Sequence, residues 1–243
     1  MAAQDGDIEQ QVTAALEADP RIDLRRFPIQ VRRDGEALRL EGEVDSISAK
    51  RVALALARKV CGDGPVVDGV RLVADRRPDG EMRDALVHAL QQCMELHNCT
   101  VRQQHRGQTE MVQEAQHDWP SGEIGVACEG GEITLEGKVI SLSHKRMIEA
   151  IAWRTPGCCN VVNRLRVEPA EDDNDDELTD AVRLVLEMDR LAHADQINVR
   201  SDGGVVTLAG VVPRDEEKRL AEMDAWRVCG VVDVRNRIEV RPG

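Results

Sequence analysis

Adjacent basic residues occur as three pairs in this sequence: Lys50-Arg51, Lys145-Arg146 and Lys218-Arg219. Each pair stands near the predicted start of a helix, where the helix dipole mildly disfavours positive charge, so the recurrence needs a reason. The pairs could contact a protein partner or an anionic phospholipid surface, where each basic residue contributes about 1 kcal/mol. Alternatively, their aliphatic stems cover the edge of a sheet while the charged groups stay in water.

Thiolate and imidazole groups, which can bind zinc, cluster in the central part of the chain. The cluster consists of His88, Cys93, His97, Cys99, His105 and His117. Its spacing matches no standard zinc finger or knuckle. We therefore predict surface histidines and free thiols there, and no metal site. The adjacent Cys158 and Cys159 are explained as small apolar residues.

A run of carboxylates extends from Glu168 to Asp176, with the sequence EPAEDDNDD. Carboxylates suit calcium or magnesium, which would make the protein a cation-responsive module. The run lacks the glycine and the terminal glutamate of an EF-hand loop. We interpret it as an extended, solvated linker.

Catalytic motifs are missing from the sequence. It contains no GxSxG, HExxH or phosphate-binding Walker loop, and no histidine recurs at an equivalent place. A nucleophile, a base and an orienting group are therefore not recognisable. We predict a non-enzymatic protein without catalytic residues or a cofactor.

The basic pairs belong to a longer stretch of sequence that occurs three times, beginning at Ile29, Ile124 and Ile197. A repeat of this kind determines the interpretation of the whole fold. Two glycines recur in every copy, one before the basic pair and one after it. They are Gly42 and Gly62, Gly137 and Gly157, and Gly210 and Gly230. We interpret the first glycine either as a place where the backbone of a helix approaches the strand closely or as a bulge. We interpret the second glycine as a helix end.

Each copy has the pattern helix, strand, strand, helix, strand. Apolar residues spaced four apart, such as Leu178, Val182 and Leu186, predict the first helix, and alternation such as Ile197 and Val199 predicts strands. Turn residues of the Asp-Gly and Gly-Gly type separate the first two strands. The fold class is α+β: three tandem αββαβ units, each a three-stranded mixed sheet with two helices on one face.

The predicted units cover residues 5–73, 81–167 and 176–241. The middle unit carries an insertion at about 97–122, which is polar and rich in glutamine. Long segments of this kind inside a compact domain are commonly functional or disordered.

This pattern resembles the BON domain, the bacterial osmotically-inducible and nodulation module. The resemblance rests on the glycine and valine of the second strand, on the hairpin glycine, and on a closing stretch that is clearest from Gly230 to Ile238. The closing stretch differs most in the first copy, where Asp68 replaces the asparagine found at 163 and 236. The resemblance implies a binding protein associated with phospholipid membranes, envelope stress or osmotic stress; the alternative is a cytoplasmic protein-interaction or scaffolding protein.

The composition of the chain limits the classes of partner that it can bind. The net charge of -13 and an aromatic content of 2% argue against nucleic acid, which needs basic grooves and stacking side chains. No apolar run approaches the ~20 residues that span a bilayer, and the N-terminus resembles no secretion signal. We expect a cytoplasmic protein, compatible with peripheral membrane association and with homo-oligomers.

Overall fold

The computed structural model describes residues 2–105, 107–189 and 194–241. The chain forms two compact units, Met1–Val73 and Ala74–Gly243. The first unit contains the first repeat, and the second unit contains the middle and third repeats.

The first repeat has the predicted order of elements. It contains α1 (Ala2–Ala18), β1 (Ile29–Asp34), β2 (Ala37–Val44), α2 (Ile47–Cys61) and β3 (Val66–Leu72). The strands lie in the order β1-β2-β3, with β1 antiparallel and β3 parallel to β2. The apolar residues Val12 and Leu16 of α1 are fully buried, whereas Ile8, one turn earlier, is partly exposed.

The third repeat has the same architecture. It contains α5 (Asp175–Glu187), β9 (Ile197–Asp202), β10 (Val205–Val212), α6 (Asp215–Arg227) and β11 (Asp233–Val240). Its sheet has the order β11-β10-β9, again with one antiparallel and one parallel neighbour of the central strand. The prediction of tandem αββαβ units is confirmed.

The middle repeat has a larger sheet than predicted. Its elements are α3 (Asp79–Gln92), β4 (Cys99–His105), β5 (Gln108–Gln113), β6 (Gly122–Glu129), β7 (Glu132–Val139), α4 (Leu142–Arg154) and β8 (Asn160–Val167). They form a five-stranded sheet in the order β5-β4-β6-β7-β8, so the expectation of three strands here was wrong.

The two additional strands are formed by the insertion. β4 runs parallel to β6, and β5 forms a hairpin with β4. Cys99 and Val101 are fully buried in the core of the middle repeat, whereas β5 is mostly exposed. This short apolar alternation at the start of the insertion explains why β4 joins the sheet instead of forming a loop.

The first recurring glycine permits two strands to come close together. Gly210 has a φ of 155°, and a Cβ there would collide with the carbonyl oxygen of Gln196. Gly42 and Gly137 meet the carbonyls of Pro28 and Glu123 in the same way. The approaching backbone belongs to the residue before β1 or β9 in the first and third repeats and to Glu123 within β6 in the middle repeat, not to a helix.

The second recurring glycine ends a helix only in the first repeat. Gly62 is the C-cap of α2, and its N–H donates to the carbonyl oxygen of Arg58. In the other repeats the helices end earlier, at the C-caps Thr155 and Val228. Pro156 follows Thr155 and disfavours helical backbone at that residue.

The first helix protects the outer edge of the first strand in two repeats. The N–H of Arg33 in β1 donates to Glu9 of α1 (2.6 Å), and the N–H of Ser201 in β9 donates to Thr179 of α5 (3.0 Å). In the middle repeat, β4 pairs with β6 along the equivalent edge. Within the residues described, no helix is long and apolar enough to cross a membrane.

Candidate functional site

The basic pair of the first repeat is used inside the fold. Lys50 is only 4% exposed, and its ammonium group donates to the carboxylate of Asp68 (2.7 Å) and to the carbonyl oxygen of Val70. Burial lowers the pKa of Lys50, and Asp68 offsets part of this decrease. Lys50 therefore ties α2 to β3 and does not present its charge to a ligand.

An asparagine takes the place of Asp68 in the third repeat. Asn236 of β11 donates to the backbone carbonyl of Lys218 (2.9 Å) and to the carboxylate of Glu222 (3.0 Å). Its side-chain oxygen accepts from the N–H of Ile238 (3.2 Å). In this repeat, the recurring lysine thus contributes its backbone carbonyl as a hydrogen-bond acceptor.

The middle repeat makes the same contacts as the third. Asn163 of β8 donates to the carbonyl of Lys145 (3.2 Å) and to Glu149 (3.0 Å), and accepts from the N–H of Leu165 (3.1 Å). We call these equivalent contacts the polar clamp: Lys50 with Asp68, Asn163 with Glu149, and Asn236 with Glu222. In every repeat the clamp joins the second helix to the last strand.

Arg146 is a second basic residue that lies inside the protein. It is 4% exposed, pairs with Asp173 (2.6 Å), and donates to the carbonyl oxygen of Cys229 (2.9 Å). It therefore links the middle repeat to the acidic segment and to the third repeat. The other predicted contact residues are at least partly accessible: Arg51, Lys145, Lys218 and Arg219. For these four, contact with lipid or a partner stays a prediction.

A buried carboxylate joins the middle and third repeats. Asp224 of α6 is 0% exposed and contacts Arg154 of α4 (2.7 Å) and Arg227 of α6 (2.5 Å). Burial raises the pKa of Asp224, and Arg154 followed by Arg227 offsets part of the increase. Trp226, two residues after Asp224 in α6, is 4% exposed. These contacts hold the two repeats together.

The insertion presents a tryptophan to solvent. Trp119 is 88% exposed, although it has a large hydrophobic side chain. Asn98 fixes the loop: its amide donates to the carbonyl of Trp119 (2.7 Å), and its side-chain oxygen accepts from the N–H of His117 (2.9 Å). The backbone of Ser121 then bonds to that of Asn98 (2.7 Å), which holds Trp119 at the end of the sheet.

A groove of about 510 Å³ lies beside this tryptophan, and we call it the Trp119 groove. The half-exposed Ile140 contributes apolar surface, the buried Val139 lies beneath it, and Lys138, Glu123 and Glu168 contribute charge. Its other lining residues are Pro120, Ser121 and Gly122. An exposed tryptophan beside an aliphatic depression is typical of an interaction surface.

Comparison with known proteins identifies the family. The sequence profile of the BON domain matches residues 4–74, 108–169 and 174–242. The chain belongs to the BON domain family. The predicted three tandem copies are confirmed, and domains of this family are commonly non-enzymatic binding modules.

Other comparisons add little to the BON assignment. No curated protein matches the chain. Among solved structures, it is similar to CdsD, a structural protein of the type III secretion system of Chlamydia trachomatis, at 12% identity and a TM-score of 0.26. That alignment covers 98% of this chain and 93% of the other. A second structure, the C-terminal domain of CdsD, gives 12% identity and a TM-score of 0.25, covering 97% and 98%.

The histidines and cysteines of the middle BON unit do not form a ligand set. Among the described residues, no three histidine, cysteine or acidic side chains converge as metal ligands. Cys93 and Cys99 are buried, and desolvation raises their thiol pKa values to about 12 and about 11. They pack as apolar residues.

Sequence reasoning missed Trp119, because the insertion has no counterpart in the other two BON units. Its signal was a large aromatic residue followed by a proline within a polar segment. The comparison of equivalent positions found Lys50 and Arg146, but it could not show that their side chains are buried.

Proposed function

We propose that this BON protein is a non-enzymatic binding protein that docks a protein partner in the Trp119 groove. The observation that carries the proposal is the 88% exposure of Trp119, held in place by Asn98. The tryptophan side chain on this ordered loop contributes nothing to the core. Its burial against a partner would therefore contribute favourable binding free energy.

Charge favours a basic protein segment over an anionic lipid surface. Glu123 and Glu168 beside the groove each have an arginine nearby, Arg102 at 3.7 Å and Arg166 at 3.6 Å, so the local charge is nearly balanced. Beyond Glu168, however, the exposed acidic segment continues to Asp176, and the whole chain carries -13. A partner with a large apolar side chain flanked by lysine or arginine would complement both features.

The phospholipid association implied by the family is the competing function. The contacts that we predicted for it in this chain are the recurring basic pairs, and the burial of Lys50 and Arg146 removes two of those six residues from any surface. The proposal of a protein partner therefore has the stronger physical support, and lipid binding becomes an outcome that the experiment distinguishes.

Peptide selection tests the proposal. A displayed library of random peptides is panned against the full chain, and the affinity of each selected peptide is measured by isothermal titration calorimetry. We expect peptides with an aromatic or aliphatic centre between basic residues. Trp119→Ser should weaken their binding by about tenfold or more, as for a central interface tryptophan. Met223→Ser, which removes a half-exposed apolar side chain of the third BON unit, is the matched control.

Liposome flotation forms the second arm. Vesicles of phosphatidylcholine, with and without phosphatidylglycerol, are mixed with the wild type and with Trp119→Ser. Our proposal would be wrong if Trp119→Ser abolished flotation while no selected peptide depended on Trp119 for binding. That result would show that the groove binds lipid. Unchanged peptide binding by Trp119→Ser would also contradict the proposal.

A further inference from the structure

The open face of the third sheet, opposite its helices, carries a cluster of positive charge. Arg200, Arg235 and Arg237 are all exposed there, although the protein as a whole is strongly acidic. Together with Asp202, Val205 and Thr207 they line a groove of about 340 Å³. With three arginines and one aspartate, this groove has a net charge of +2.

Strand pairing places the arginines around one hydroxyl group. Thr207 of β10 pairs with Arg200 of β9 on one side and with Arg235 of β11 on the other. Neighbouring strands lie about 4.8 Å apart, so the two guanidinium groups can reach the space over Thr207. Arg237 lies two residues beyond Arg235 on the same face.

The equivalent faces of the other BON units are neutralised by a glutamate on the central strand. In the first unit, Arg39 lies 3.6 Å from Glu41, and it also pairs with Asp34 at 3.3 Å. In the middle unit, Arg164 of β8 lies 3.0 Å from Glu136 of β7. In both units the glutamate lies one residue before the recurring glycine of the second strand.

The third BON unit has Ala209 in place of this glutamate. Ala209 pairs with Arg237 in the strand register, as Glu136 pairs with Arg164. Within residues 2–105, 107–189 and 194–241, none of the three arginines of the groove forms an ion pair. Neighbouring like charges destabilise a sheet, so an unneutralised cluster is costly unless an anion binds to it.

We propose that this groove binds a phosphate-type oxyanion between Arg200, Arg235 and Arg237, with Thr207 as a hydroxyl donor. Guanidinium groups match phosphate oxygens through paired N–H donors, and a dianion offsets their mutual repulsion. The shared chemistry is a phosphate group, supplied either free in solution or by a phosphorylated headgroup. The site lies in a different BON unit from the Trp119 groove, so the two proposals are tested independently of each other.

The test measures binding of inorganic phosphate to the full chain by calorimetry, with sodium chloride adjusted to constant ionic strength. The decisive variant is Ala209→Glu, which installs the residue of the other two units and should pair with Arg237 without disturbing the fold. Arg235→Gln is a second variant that removes one donor group. Met223→Glu adds the same charge to the exposed side of α6, away from the open face, and is the matched control.

We expect saturable phosphate binding by the wild type, weakened about tenfold or more by Ala209→Glu and by Arg235→Gln, and changed less than about twofold by Met223→Glu. A parallel arm uses phosphatidylcholine vesicles with and without phosphatidic acid. Binding only to phosphatidic acid, lost in Ala209→Glu, would support the site and assign it to a headgroup phosphate. Absence of binding to either ligand, or full binding by Ala209→Glu, would overturn the proposal.

Discussion

The ammonium group of Lys50 lies 2.7 Å from the carboxylate of Asp68, at the place where the other two BON units use an asparagine and a glutamate. Both arrangements join the second helix to the last strand. Two equivalent positions change together between the units. The first unit has Asp68 together with Leu54, whereas the middle unit has Asn163 together with Glu149 at those two positions. The polar clamp therefore has two chemical solutions in one chain.

Replacement of Asp68 should destabilise the first BON unit. In Asp68→Asn the buried ammonium group of Lys50 loses its counterion, which we expect to cost about 2–4 kcal/mol. Hydrogen exchange of the α2 and β3 amides in the full chain measures this loss. The double variant Asp68→Asn/Leu54→Glu builds the clamp of the other units and should recover part of it. Unchanged exchange in Asp68→Asn would show that the ion pair contributes nothing.

Substitution of Gly210 by alanine should destabilise the third BON unit. A Cβ there collides with the backbone carbonyl of Gln196, and the positive φ adds strain, so we expect a loss of about 2 kcal/mol or more. Gly203→Ala is the matched control, because Gly203 has a φ of 58° but open space around its Cβ position. Urea unfolding followed by tryptophan fluorescence compares the two variants. Equal losses would mean that the collision is relieved by movement of the strand.

The sequence predicted the repeated architecture well, because period-two strands, apolar helical faces and turn glycines depend on local chemistry. It could not predict that the insertion would extend the sheet, since β4 joins the sheet through long-range pairing with β6, which local sequence does not specify. Nor could it separate buried from exposed basic residues. Lys50 and Lys218 occupy equivalent positions in their units. Only the unit of Lys50, however, has a carboxylate on its last strand at the clamp position, that of Asp68, with which the lysine side chain can pair.

Removal of Asp224 should loosen the junction of the middle and third BON units. Asp224→Leu removes the carboxylate that Arg154 and Arg227 share, with an expected loss of about 3 kcal/mol, measured as a lower urea midpoint by tryptophan fluorescence. The triple variant that also contains Arg154→Met and Arg227→Met should recover most of the stability, since apolar residues can replace a buried ion cluster. A stable Asp224→Leu protein would exclude this role.

Thiol reactivity should follow burial and pKa. Desolvation raises the pKa of Cys93 and Cys128 to about 12 and that of Cys99 to about 11, so these groups remain neutral thiols at pH 8. Brief treatment of the folded protein with iodoacetamide at pH 8, followed by peptide mass spectrometry, should leave them unmodified. Their labelling should increase as the pH rises towards these values.

The unfolded chain is the control for this experiment, because all seven cysteines should react in urea. Rapid labelling of Cys93 in the folded protein at pH 8 would contradict the expected burial and pKa.

The protected edges of β1, β6 and β9 have a consequence for the synthesis of this protein. Two three-stranded sheets and one five-stranded sheet built on the same repeat emerge in succession from one ribosome, and repeats in tandem are prone to exchange strands before they are complete. Glu9 and Thr179 occupy the exposed edge in two units, and β4 occupies it in the third. In each unit this edge of the repeated hairpin is thus covered by a segment that precedes the hairpin in the chain, namely α1, β4 or α5. We expect each newly made sheet to be covered along this edge by its own earlier residues before the next unit is translated, which disfavours strand exchange between copies.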